Sequence, residues 1–162
     1  MALVGFGPCR VRAEPRARRA ACGAEPPWPP AHNAAMHIVV VLAALIAAGL
    51  HAWFFVLESL WFLRPSVWSR FGLRSQEEAA TVRSFAYNQG FYNLFLAAGA
   101  VGGVAKALLG DPAAGVPVML FACGSMVAAG VVLVTHNRSF WRPAAIQIVP
   151  PLVAILAQLV LA

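Results

Sequence analysis

The run Ile38–Leu63, IVVVLAALIAAGLHAWFFVLESLWFL, decides the fold. It holds about 26 residues and would reach roughly 39 Å as a helix at 1.5 Å per residue. A hydrocarbon core of about 30 Å needs about 20 apolar residues in a helix. The run is therefore long enough to cross, and its excess predicts a tilt or a projecting end. It also outlasts the apolar part of a secretory signal, about 7–15 residues, and so reads as a membrane anchor. Trp53, Trp61, Phe62 and Trp68 gather toward its end as in an aromatic belt, and Pro65 is expected to stop the helix.

Three further apolar runs follow, Ser84–Ala105, Ala113–Thr135 and Pro143–Ala162, and Glu58 is the one charged residue inside any of the four. Together they predict helices over about 37–63, 84–107, 114–135 and 142–162, forming an all-α integral membrane protein. A single four-helix bundle over 36–162 accounts for nearly all the chain after the tail. Sixty per cent hydrophobic and 11% charged residues exclude an ordinary soluble domain. The mean hydropathy of +0.73 agrees. The net charge of +6 resides in loops and tail, where arginine meets anionic lipid rather than nucleic acid.

Residues 1–35 differ in kind. Arg10, Arg12, Arg16, Arg18 and Arg19 alternate with Ala, Pro and Gly before Pro26-Pro27-Trp28-Pro29-Pro30. So little apolar surface predicts disorder. A targeting segment would suit the arginines, yet the prolines break any amphipathic helix. Charge asymmetry favours a physiological start at Met36. The loops 64–83 and 136–142 hold Arg64, Arg70, Arg74, Arg83, Arg138 and Arg142, against Lys106 in the second loop. Both loops are expected to be cytoplasmic in a multi-pass protein of the cell membrane, with both termini outside. A five-arginine tail conflicts with that orientation, and a start at Met36 removes the conflict. Cys9, Cys22 and Cys123 form no paired motif, and Cys123 is read as a small packing residue.

Within the second run, Gly99 and Gly103 share a face and predict close packing on the third helix, whose Gly124, Ser125, Ala128 and Ala129 offer small surfaces in turn. Gly110-Asp111-Pro112 marks the turn between them. Pro150-Pro151 predicts a kink in the fourth helix, with Gln147 as a donor for the carbonyls that proline frees.

Polar residues fall at one depth on all four helices: Glu58, then Asn88, Gln89 and Asn93, then Thr135 and His136, then Gln147. His51 lies seven residues before Glu58, about 20° away on a regular helix. Gln89 and Asn93 share a face four residues apart. A carboxylate at mid-membrane costs on the order of 2.5–3.5 kcal/mol on insertion scales, less near the boundary. The candidate ligand-binding cluster is therefore Glu58, His51, Asn88, Gln89, Asn93 and Gln147. The bland alternative is that these groups hydrogen-bond one another and hold the bundle together.

At Leu57-Glu58-Ser59-Leu60-Trp61, Phe71-Gly72-Leu73, Asn88-Gln89-Gly90-Phe91-Tyr92-Asn93-Leu94-Phe95-Leu96-Ala97-Ala98-Gly99 and Gln147-Ile148-Val149-Pro150 the chain resembles domain-of-unknown-function family 1304. The resemblance covers about Met36 to Ala162 and implies four membrane helices without an established activity. The family typically continues its glutamine–proline motif with alanine, where this chain has Pro151.

Three function classes follow. The first is binding or transport of a small polar solute or lipid headgroup at the cluster. The second is a structural or accessory protein stabilising a partner complex. The third is a membrane enzyme acting on a lipid or quinone, for which no complete catalytic constellation is visible: H-E-x-x-H, G-x-S-x-G and metal-ligand spacings do not occur. No cofactor or metal is expected. The expected partners are the lipid bilayer and either further copies of the chain or another membrane protein.

Overall fold

The computed structural model describes residues 37–161; the tail, its predicted disorder and the start at Met36 lie outside the described residues. Every regular element among the described residues is helical. Helix α1 spans Ile38–Phe55 and passes directly into a π-helical turn, Val56–Leu60. A short α2, Pro65–Trp68, and a 3-10 turn, Ser69–Phe71, make the connector. Then come α3 (Gln76–Leu108), α4 (Pro112–His136), a 3-10 turn at Arg138–Phe140, and α5 (Trp141–Leu161). Four helical spans are long and apolar enough to cross a membrane: Ile38–Leu60, Gln76–Leu108, Pro112–His136 and Arg138–Leu161.

Two of these bounds depart from the apolar runs for readable reasons. The first span ends at Leu60, not Leu63, and Pro65 opens α2 instead of closing α1. Proline suits a first helical position because its missing N–H would have no partner there. Helix α3 starts at Gln76, well before Ser84, so Gln76-Glu77-Glu78 opens the long apolar helix itself. Ser75 Oγ accepts from the Glu78 N–H at 3.1 Å, and Glu78 Oε2 accepts from the Arg74 N–H at 2.8 Å. This is a variant of the capping box, and nothing between Thr81 and Ser84 breaks the helix it starts. At 33 residues α3 reaches roughly 50 Å, well beyond a hydrocarbon core of about 30 Å, so its charged first turns extend past it.

The helices form a ring: α1 packs on α3, α3 on α4, α4 on α5, and α5 closes back on α1. Short connectors make sequential neighbours antiparallel. Two buried layers fill the interior. One joins Val40, Ala43 and Ala44 of α1 to Val104, Met119, Cys123 and Ala154. The other joins Ala47 and Ala48 to Ala97, Ala100, Ala122 and Met126. Cys123 is buried with its Sγ 3.8 Å from Met119 Sδ, a packing residue as expected.

Small residues set the α3–α4 distance, through a partner other than the expected one. A Cβ on Gly103 would lie 2.5 Å from the Met119 nitrogen and 2.8 Å from the Gly115 carbonyl oxygen. One on Gly115 would strike Ala107, whereas one on Gly124 would meet nothing within 4 Å. The close approach is thus Gly103 against Gly115, and Gly124 takes no part. Between these helices Asp111 caps α4 through Ala114 N–H and pairs with Lys106 at 2.9 Å. The Lys106 hydrogen bond, then that from Ala114, holds the Asp111 carboxyl below the usual carboxylate range. Helix α5 continues through Pro150 and Pro151, and the Pro151 ring is fully buried.

Candidate functional site

The π-helical turn carries Glu58, and two stretches that the sequence sets apart meet there. Trp61 N–H donates to the Val56 carbonyl at 2.9 Å, an i→i+5 bond. That wider ring bulges the backbone, a device that recurs at functional sites. The bulge needs room, and α3 supplies it at Gly90, which is buried beneath Ser59 and Glu58. A Cβ there would collide with Ser59 Oγ and come within 3.2 Å of the Ser59 nitrogen. Ser59 Oγ donates to the Tyr87 carbonyl at 2.9 Å, and Asn93 Nδ2 donates to Glu58 Oε2 at 2.8 Å. Glu-Ser on one helix is therefore clasped by Asn-Gln-Gly-Phe-Tyr-Asn on the other. Rings close the sides: Phe91 stacks edge-on to Phe55 at 5.1 Å between centroids and tilts against Tyr87 at 5.0 Å.

Beside this clasp the connector folds back over the helix ends. Phe62 is buried against Phe71, with centroids 5.5 Å apart, and Trp68 Nε1 donates to Gln76 Oε1 at 3.1 Å. Gly72, at φ +80°, takes the left-handed conformation that ends the 3-10 turn and returns the chain toward α3. The result is an open pocket of about 380 Å³ lined by Glu58, Phe62, Phe71, Leu73, Val82, Phe85, Ala86 and Gln89. Its polar side chains are one carboxyl and one amide.

Of the six candidate residues, three gather here. Glu58 and Gln89 line the pocket, and buried Asn93 orients the Glu58 carboxyl from below. The others stand apart. Asn88 is exposed on the next position of α3. Gln147 Nε2 donates to the Met126 carbonyl of α4 at 3.3 Å, joining α5 to α4 rather than meeting the carbonyls freed by the prolines. His51 is fully buried, and its Nδ1 lies 2.9 Å from the Ala47 carbonyl oxygen. A carbonyl only accepts, so Nδ1 carries the hydrogen and Nε2 is an acceptor without a partner among the described residues. No hydrogen bond joins His51 to Glu58: seven residues are about 10.5 Å along a helix, and the Glu58 carboxyl turns to Asn93 of α3. Thr135 bonds its own helix at Val131 and Val132, and His136 is exposed.

One contributor escapes the sequence reading: Ser59 looks like any helical serine until its neighbour is known to be Gly90.

A family model described as "Protein of unknown function (DUF1304)" matches residues 34–159. No curated protein and no solved structure matches the chain.

Proposed function

We propose that this chain, which belongs to the DUF1304 family, crosses the cell membrane four times and binds a small polar molecule or lipid headgroup at the Glu58 pocket. One observation carries the reading. Glu58 is held at a pocket wall by Asn93, which occupies Oε2 and leaves Oε1 without a protein donor among the described residues. Oε1 is not enclosed by protein and opens on the pocket, where the donor or cation of a ligand can reach it.

The test is a melting series in dodecyl maltoside against amphiphiles with anionic, zwitterionic, cationic and polyol headgroups. At least one class is expected to raise the melting temperature by several degrees. Glu58→Gln is expected to fold and lose that rise, while Asn88→Ala, outside the pocket, keeps it. If no class acts, or if Glu58→Gln simply fails to accumulate, the clasp is a structural staple and an accessory role replaces binding.

The pocket end is proposed to face the cytoplasm. The fold brings Arg64, Arg70, Arg74 and Arg83 to the same end as Arg138 and Arg142, whereas Lys106 at the other end is neutralised by Asp111. Arginine-rich short loops stay inside. A cysteine introduced as Arg74→Cys, with Cys9 and Cys22 changed to serine, should react with an impermeant maleimide after the cells are opened. Labelling of intact cells would reverse the orientation.

A further inference from the structure

Resting on that reading of the pocket, we infer that its ligand is a peralkylated ammonium group. The lining excludes the other common headgroup chemistries in turn. An anionic phosphate or carboxylate would meet no Arg or Lys among the pocket's lining residues and would face the Glu58 carboxyl. A sugar or polyol carries several hydroxyls, each of which needs a partner once desolvated. Here two polar side chains are present, and one is already engaged by Asn93. A primary ammonium brings three donors to a wall offering one free carboxyl oxygen and one amide, so the wall meets at most two and leaves the third N–H to the open side.

A tetra-substituted nitrogen has no N–H to satisfy. It is attracted to aromatic faces by their quadrupole and to a carboxylate by charge. Three phenylalanines, Phe62, Phe71 and Phe85, line the pocket with the one carboxyl, Phe71 and Phe85 with exposed rings, and Leu73, Val82 and Ala86 receive the alkyl substituents. The volume of about 380 Å³ suits a small cation. Such a cation has two sources: the choline headgroup of a phospholipid in the adjoining leaflet, or a free quaternary ammonium compound.

The experiment uses the full chain in dodecyl maltoside and follows binding calorimetrically. Tetraethylammonium and choline are compared with 3,3-dimethylbutan-1-ol, which has the shape of choline without the charge. Both cations are expected to bind, with the neutral alcohol weaker by at least tenfold. Glu58→Gln and Phe71→Leu are each expected to weaken tetraethylammonium at least tenfold. Equal binding of the alcohol, which needs no variant to observe, overturns the inference, as does tetraethylammonium binding that Glu58→Gln leaves unchanged. In nanodiscs, phosphatidylcholine that competes with tetraethylammonium, where phosphatidylglycerol does not, identifies the lipid headgroup as the source. Absence of competition identifies the free cation. If both cations fail while a polyol or anionic amphiphile raises the melting temperature through Glu58, the ammonium assignment falls and the binding reading stands. If every class fails, both fall.

Discussion

Gly103→Ala is expected to melt well below the parent protein and Gly103→Leu to fail to accumulate in membranes, whereas Gly102→Ala, one residue away, should be silent. The contrast follows from what each new carbon meets. At Gly102 there is nothing within 4 Å. At Gly103 the added carbon lies 2.5 Å from the Met119 nitrogen and 2.8 Å from both Met119 Cβ and the Gly115 oxygen. The backbone atoms it meets belong to two helices joined by a tight turn close by and do not yield singly, so α3 and α4 must separate at that end. Lipid tails are as apolar as leucine, which leaves packing and hydrogen bonds to hold the pair together. A gap of 0.5–1 Å forfeits about a quarter to a half of each contact's dispersion energy. Overpacking a well-fitted site generally costs about 1–3 kcal/mol, and leucine exceeds that range. Fluorescence-detected size exclusion after heating measures the difference. Parent-like melting of Gly103→Leu would mean that the two glycines do not meet as described.

The example shows how much of the molecule is legible in its sequence. The four spans follow from the length and apolarity of their runs, and the glycine stripe on the second of them announces a close neighbour. Which face of α4 meets that stripe is another matter. An almost uniformly apolar helix offers no polar side to fix its rotation, so Gly115 and Gly124 look equivalent until packing with α1 and α5 chooses between them. The same reasoning governs the site. Glu58 and Asn93 stand out because a carboxyl and an amide in a spanning helix demand partners, and they prove to be each other's. Depth along a span says nothing about azimuth, and the Gln147 amide goes to the Met126 carbonyl of α4. Counting regular turns puts His51 and Glu58 on one face. The π turn that carries Glu58 breaks that count, and no local residue pattern declares such a turn. What declares it in retrospect is a pair distant in the chain, a serine on α1's extension and a glycine on α3.

That pair supplies a second large effect, and one that separates geometry from chemistry. Gly90→Val should unseat the π turn and lose both stability and ligand-dependent stabilisation. Gly90→Ala should do so in milder form. In the alanine variant the new carbon collides chiefly with Ser59 Oγ, while Glu58 Cβ and the Ser59 nitrogen lie at 3.2 Å. A side-chain oxygen is removable. Ser59→Ala alone forfeits the 2.9 Å bond to the Tyr87 carbonyl, a loss of about 0.5–1.5 kcal/mol. Combined with Gly90→Ala it also deletes the atom in collision, leaving contacts that a shift of a few tenths of an ångström relieves. The double variant should therefore be more stable to unfolding than the sum of the two single changes predicts, by about 0.5–3 kcal/mol, the range typical of residues in direct contact. With Gly90→Val two methyls extend beyond a Cβ already 3.2 Å from Glu58 Cβ and the Ser59 nitrogen, so Ser59→Ala should not restore it. Additive effects in the alanine cycle would mean that Ser59 and Gly90 do not touch, and the clasp that holds Glu58 at the pocket wall would need another explanation. Positive coupling together with recovered ligand-dependent melting would tie the bulge to the site, because the only thing restored is the position of the turn that carries the carboxyl.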